Sequence, residues 1–322
     1  MIVLYSPTHH LHAPEIEYYD GAASKYAERP ERITSILDAC RDLNLTIRKI
    51  RRPLTKRDLM TLHDNHYVDY FASRCSSISE KEQIISSVFI KDTYSPIMKH
   101  TYDAARSSAG LAVAAADMIL KGEQQSIYAL CRPPGHHAEY NSMMGYCYFN
   151  NAAFAADRLS RDDKKVAILD IDYHHGNGTQ QLFYDRSDVL YVSLHADPKT
   201  NFPYNSGFAN ERGIRKGLGY TYNFPLHKDT PPRMYIKTLN RAIKVIKKFQ
   251  PDFFVLSLGL DTYLHDPIGN LGLIKKDYAE IGKLIAQKIN LPTTIIQEGG
   301  YNVEELGNLS KNFLQGYLKY NA

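Results

Sequence analysis

The chain has 322 residues, 43% of them hydrophobic and 23% charged, with a net charge of +4. This is the composition of a folded globular protein, long enough for one large α/β domain, and it excludes a disordered or fibrous chain. The basic residues are dispersed, so pairs such as Arg51-Arg52 and Lys247-Lys248 read as solvated faces and exclude a nucleic-acid footprint. No apolar run approaches the roughly 20 residues that cross a bilayer. The start, Met1-Ile-Val-Leu, has no basic leader, so no signal peptide is expected. Cys40, Cys75, Cys131 and Cys147 show neither metal-finger nor CxxC spacing and read as reduced thiols of a cytoplasmic protein.

Residues 2–5 predict a buried strand, and Glu28-Arg-Pro-Glu-Arg32 opens a helix with Pro30 near its first turn. Two short helical patterns follow over 56–72. The polar, Ser-rich stretch 76–97 reads as a rim loop, and the Ala-rich run 98–120 as a helix. Strands then alternate with helices: strands at 126–130, 166–171, 189–194, 253–258 and 293–296, and helices at 150–160, 179–185, 233–249, 275–289 and 303–318. A Gly/Asn/Pro-containing loop fills 196–219. Continuous apolar strands alternating with helices imply one domain with a parallel sheet covered on both faces. Ligands bind such sheets at the carboxyl ends of the strands.

The polar residues fall at those ends. Strand 126–130 runs into Arg132-Pro-Pro-Gly-His-His137. Strand 166–171 runs into a cluster of Asp170, Asp172, His174 and His175. Strand 189–194 runs into His195, strand 253–258 into Asp261, and strand 293–296 into Glu298-Gly-Gly-Tyr301. Asp172 and His174 share a face of an extended segment. With Asp261 they offer one nitrogen and two carboxylates, the donor set of an open catalytic metal site, which Zn²⁺ suits. An Asp-x-His pair alone also fits a hydrogen-bonded surface turn. His136 and His137 follow a rigid turn and can serve as general base, general acid or electrostatic partner, each needing an acceptor at Nδ1. Asp170 and Asn177 are candidates for those acceptors. The Tyr301 phenol can donate to a developing oxyanion, or pack as any other tyrosine. Gly145, Tyr146 and Phe202 fit a channel wall as well as ordinary core.

Five stretches make the pattern specific: Arg-Pro-Pro-Gly-His-His at 132–137, Gly-Tyr-Cys-Tyr-Phe-Asn-Asn at 145–151, Asp-Ile-Asp-Tyr-His-His-Gly-Asn-Gly-Thr-Gln at 170–180, Ser-Leu-Gly-Leu-Asp-Thr at 257–262 and Glu-Gly-Gly-Tyr at 298–301. In order and spacing, over nearly the whole chain, they resemble the zinc-dependent histone deacetylase superfamily, and most of all the bacterial acetylpolyamine amidohydrolases and class II deacetylases. The resemblance implies a single catalytic domain over 1–322 with the arginase–deacetylase fold and an eight-stranded parallel sheet. It implies one Zn²⁺ per chain on Asp172, His174 and Asp261, and catalytic roles for His136, His137 and Tyr301. Asp170 and Asn177 match the partners of the two histidines. A structural K⁺ is implied beside the strand, held by Asp170, Asp172, His174, Ser193 and Leu194. Gly145, Tyr146, Phe202 and Ile268 match tunnel positions, and Arg32 an arginine of the internal cavity through which acetate leaves. The reaction implied is amide hydrolysis: the metal and Tyr301 polarise the acetyl carbonyl, His137 acts as general base on water, and His136 is its electrostatic partner. Neutral Asn177 leaves His137 less basic than an aspartate would.

A binuclear ureohydrolase shares the fold but needs further carboxylates where this chain has Gly176 and Tyr263. A non-catalytic binding protein is the other alternative, and no catalytic position is substituted. The expected substrates are small acetylated amines, acetylpolyamines or acetyl-lysine in peptides and proteins, with no nucleic-acid or membrane partner and an open oligomeric state. Asp92 is a candidate for holding substrate at the rim, and Glu15, Glu17, Asp20 and Glu139 are candidate rim acids.

Overall fold

The structure, a computed structural model, describes residues 1–19, 21–228 and 230–320. Its strands are β1 (Ile2–Tyr5), β2 (Ile16–Tyr19), β3 (Ala22–Lys25), β4 (Thr46–Lys49), β5 (Ser126–Leu130), β6 (Val166–Asp170), β7 (Val189–Ala196), β8 (Thr221–Leu226), β9 (Phe253–Leu258) and β10 (Thr293–Gln297). Its helices are α1 (Glu31–Asp42), α2 (Lys56–Leu59), α3 (Asn65–Ser77), α4 (Thr101–Leu120), α5 (Asn151–Leu159), α6 (Asn177–Phe183), α7 (Pro232–Phe249), α8 (Lys275–Lys288) and α9 (Val303–Leu318). Eight strands form one sheet in the order β4-β1-β5-β10-β9-β6-β7-β8, every neighbouring pair parallel. The β2–β3 hairpin stands apart and is antiparallel.

Six of the eight sheet strands are those the sequence predicts. The other two, β4 and β8, are the edges. β4 is Thr-Ile-Arg-Lys with three of its four residues exposed, and β8 has three half-buried residues, Pro225 among them. An edge strand has one partner and one open flank, so it lacks the apolar run that marks a central strand. β7 extends to Ala196, which puts His195 inside the strand.

Successive residues of a strand point to opposite faces, and both faces here are covered. In β6, Ala167 and Leu169 join the core under α1, α7, α8 and α9, while Val166 and Ile168 join the core under α3, α4 and α5. Asp170 lies opposite Ser193 of β7 and Ser257 of β9. The three strands therefore release their loops on one rim. No helix among the described residues is long and apolar enough to cross a membrane.

Candidate metal centre and catalytic site

The segment after β6 is not extended, contrary to the expectation from spacing. It turns at once, with the His174 N–H donating to Asp172 Oδ1 (2.9 Å). That turn, rather than a shared strand face, brings His174 Nδ1 to 3.3 Å from Asp172 Oδ1 and 3.2 Å from Asp261 Oδ2. The possible ligand atoms of Asp172, His174 and Asp261 all lie within 4.8 Å of one another, and all three residues are buried. Backbone donors aim the carboxylates: Gly299 N–H reaches Asp172 Oδ2 (2.8 Å) and Tyr173 N–H reaches Asp261 Oδ1 (2.9 Å). Apart from the His174 ring nitrogen beside it, Asp261 Oδ2 is buried without a hydrogen-bond partner. Burial, reinforced by the Asp172 carboxylate, pushes Asp261 up to about 7. Burial alone would lower His174, yet Asp172 and Asp261 lift it to about 9. Two carboxylates crowded in a dry site repel one another, and a metal ion bound between them and a neutral His174 would relieve that repulsion. Gly259 and Gly299 leave the room. A Cβ on Gly259 would lie 2.2 Å from Asp172 Oδ2, and one on Gly299 2.4 Å from Asp261 Oδ2.

The loop after β5 delivers the histidine pair. Its turn is held by Glu298, whose Oε2 accepts from Gly135 N–H (2.8 Å) and His136 N–H (3.2 Å). The two imidazoles stand 4.0 Å apart, tilted by 46°. His136 Nδ1 is 3.1 Å from Asp170 Oδ2, which also accepts from Tyr191 Oη (3.1 Å), and His136 Nε2 is 3.7 Å from Asp172 Oδ1. Burial opposes its charge, but Asp172 and Asp170 lift it to about 10. His137 Nδ1 is 2.7 Å from Asn177 Oδ1. Burial and the neighbouring His136 and His174 rings hold His137 well below its ordinary range. The two environments push the pair in opposite directions, His136 toward the charged form and His137 toward the neutral one, the separation that acid–base chemistry uses.

Tyr301 follows Gly300, whose φ of +113° suits glycine. Burial keeps its phenol well above the ordinary range, so it remains a donor. The Arg32 guanidinium sits 4.8 Å from the ring centroid. Arg32 is fully buried, donating to Glu28 Oε1 (2.6 Å), Gly300 O (2.5 Å) and Glu298 O (2.5 Å). The structure therefore places Arg32 behind Tyr301, gripping the turn that carries it.

His137, His174 and Tyr301 open onto a cavity of about 550 Å³. Its wall includes all four expected tunnel residues, Gly145, Tyr146, Phe202 and Ile268, together with Asp92, His137, His174 and Tyr301. Phe202 stands edge-on to His137, with centroids 5.0 Å apart, and the Tyr146 ring lies 5.3 Å from Tyr301. Gly145 has φ +53°, and a Cβ there would meet the His137 ring at 2.5 Å. Asp92 accepts from Tyr94 N–H (2.9 Å) and Gly145 N–H (2.7 Å), and burial pushes it up to about 6. Of the residues implied for K⁺, Asp170 at the end of β6 is in register with Ser193 of β7, and the segment carrying Asp172 and His174 is tied to β7 where Ala196 N–H donates to Tyr173 O (2.8 Å). The Ser193 hydroxyl lies 2.7 Å from His195 Nδ1. His175, between Ser206 Oγ (3.0 Å) and Gln180 Oε1 (3.2 Å), lies outside the triad.

The rim acids are a correction. Glu17 is buried and accepts from Tyr146 Oη (2.8 Å), and Glu139 is buried behind Asn177. Residues distant in sequence cover both, Tyr146 over Glu17, and Asn177, Gln181 and Lys91 over Glu139. Glu15 is exposed, and Asp20 lies outside the described residues. Sequence reasoning missed Asp266. Its Oδ2 accepts from Tyr301 N–H (2.7 Å) and Asn302 N–H (3.1 Å), and its Oδ1 from Ile268 N–H (2.9 Å) and Gly269 N–H (3.1 Å). The available signal was an acid next to Pro267 in the loop that carries Asp261. Glu298 stands in the Glu-Gly-Gly-Tyr motif, and its grip on the histidine turn is visible only in the folded chain.

A metal-ready triad at the carboxyl rim of a parallel sheet places the molecule among the metal-dependent hydrolases. The chain belongs to the histone deacetylase family, with residues 26–317 matching the histone deacetylase domain. It is 38% identical to acetylpolyamine amidohydrolase 1 of Pseudomonas aeruginosa, over 98% of this chain and 99% of that one. It is 34% identical to a histone deacetylase-like amidohydrolase of the same organism, over 87% of this chain and 74% of that one. The crystal structure of an acetylpolyamine aminohydrolase from Burkholderia pseudomallei superposes with a TM-score of 0.93 at 34% identity, covering 98% of each chain. The two-metal alternative finds no support: Gly176 packs so closely that a Cβ would lie 2.4 Å from Asp170 Oδ2, and Tyr263 is buried in the core.

Proposed function

We propose that the chain is a zinc-dependent deacetylase that hydrolyses the acetamide of small acetylated amines, acetylpolyamines first among them. The observation that carries this reading is one cavity with an aromatic wall that is lined by His137, Tyr301 and His174, the last held against Asp172 and Asp261 in a buried triad. One imidazole and two carboxylates fit Zn²⁺ and leave positions open for water and substrate. Bound there, zinc supplies Lewis acidity, polarising a carbonyl and acidifying water. A K⁺ beside β6 and β7 would stiffen the loop that carries the triad.

The residues divide the remaining work. His137 donates from Nδ1 to Asn177, which leaves Nε2 free to take a proton from the attacking water and return it to the leaving amine. His136, charged between Asp170 and Asp172, stabilises negative charge as it develops. Tyr301 donates its phenol proton to the oxyanion, its backbone fixed by Asp266 and its ring backed by Arg32. Phe202 and Tyr146 line the passage for the acyl-amine chain and exclude water. The buried free cysteines support a reducing, cytoplasmic setting.

Acetate release from acetylputrescine and acetylspermidine, compared with an acetyl-lysine peptide, tests the proposal. The expected result is a higher kcat/KM for the acetylpolyamines. A higher value for the peptide would reassign the substrate, and no acetate from any of them would overturn the reading.

A further inference from the structure

His137 can act as a base at Nε2 only if its proton sits on Nδ1. Asn177 faces Nδ1, and an amide has two ends. With Oδ1 toward the ring, as here at 2.7 Å, the ring must donate and the proton stays on Nδ1. With the NH₂ end toward the ring, Nδ1 must accept, and the proton moves to Nε2. The neighbours of Nδ2 decide between the two. They are Glu139 Oε1 at 2.8 Å, the His137 carbonyl at 3.4 Å and Met144 Sδ at 3.5 Å. The last two are at the limit of hydrogen-bond reach, and only Glu139 is a carboxylate.

Glu139 is in turn fixed. Its backbone N–H donates to Ser142 O (3.0 Å). Its Oε2 accepts from Gln181 Nε2 (2.9 Å) and pairs with the half-exposed Lys91 ammonium, and the side chain itself is buried. With Oε2 held by those two donors, Oε1 faces Asn177.

We propose that Glu139 is a positioning residue for His137: its carboxylate locks the Asn177 amide with oxygen toward the imidazole and so selects the tautomer that leaves Nε2 free. This rests on the hydrolase reading of His137. An aspartate at position 177 would present oxygen whichever way it turned. A neutral amide needs an anchor, and Glu139 provides one.

The test is a double-mutant cycle joined to a tautomer measurement. kcat and KM are determined for wild type, Glu139→Ala, Asn177→Asp and the double variant. The ¹⁵N imidazole shifts of His137 are read in labelled wild type and Glu139→Ala, assigned by their loss in His137→Ala. Glu139→Ala is expected to lower kcat about 10- to 100-fold, with KM within about twofold. In the Asn177→Asp background the same change is expected to cause no loss, or a gain, because it removes a carboxylate that would face the one introduced at position 177. The same fold loss in both backgrounds would assign Glu139 to packing and overturn the proposal, as would an unchanged kcat or a loss confined to KM. The shifts are expected to move from Nδ1–H toward Nε2–H, and an unmoved Nδ1–H overturns the proposal whether or not wild type turns over. If wild type releases no acetate, the hydrolase reading has failed and the shifts still judge Glu139. Should Glu139→Ala not fold, Glu139→Gln, which keeps the volume and one acceptor, is expected to lose less with the same dependence on background.

Discussion

Asp266 offers the sharpest energetic prediction. Its two oxygens accept four backbone N–H groups, two on the turn carrying Tyr301 and two on the tunnel wall at Ile268 and Gly269. Asp266→Asn keeps the shape but turns one oxygen into a donor, which then faces two N–H groups. Two charge-assisted hydrogen bonds are lost, each worth about 1.5–3 kcal/mol, or roughly 3–6 kcal/mol before the loop relaxes. Relaxation returns part of that, and we expect a net loss of about 2–4 kcal/mol out of a total of about 5–15 kcal/mol. The protein folds, but one of the two loops shifts, and a displacement near 1 Å at Tyr301 costs about 100-fold in rate. Urea unfolding and kcat, measured on metal-loaded protein of checked metal content, read both numbers. A stability within about 0.5 kcal/mol of wild type and a kcat within about twofold would refute the reasoning.

Tyr301→Phe removes one oxyanion donor and is expected to lower kcat about 10²- to 10³-fold while the metal content stays unchanged. Full turnover would take Tyr301 out of the mechanism. Gly299→Ala places a Cβ 2.4 Å from Asp261 Oδ2 and 2.6 Å from Asp172 Oδ2, so it should abolish metal binding in a folded chain, as read by metal analysis beside a cooperative melt. In metal-free protein, burial and Asp172 raise Asp261 from 3.8 to about 7, and, against the cost of burial, Asp172 and Asp170 raise His136 from 6.5 to about 10. Both folded values exceed the unfolded ones, so both contributions are complete at low pH. Asp261's is lost as pH rises toward about 7, and that of His136 as it rises toward about 10. Urea midpoints of chelator-treated protein should therefore fall between about pH 6 and pH 9, and metal loading should stabilise most at the upper end. A rising midpoint over that interval would contradict the signs.

The site was legible where chemistry-bearing residues follow central strands. β5, β6, β9 and β10 are buried on both faces, so their apolar runs stand out, and the residues after them are the triad, the histidine pair and Tyr301. The edge strands β4 and β8 were hidden because one open flank permits Arg48, Lys49 and Pro225. Supporting carboxylates were harder to read. Asp266 and Glu139 act on backbone amides and on another side chain, partners that only the folded chain supplies. Glu17 and Glu139 look like surface acids in sequence because nothing local shows that Tyr146 and Asn177 will cover them.

The proposed function requires that a single metal on Asp172, His174 and Asp261 drive acetyl-amide hydrolysis. Titrating Zn²⁺ into chelator-stripped protein while measuring acetate release from acetylputrescine tests it most directly. No release is expected without metal, and full activity is expected at one zinc per chain, matching the single triad among the described residues. Activity in stripped protein, or saturation only at two metals per chain, would contradict it.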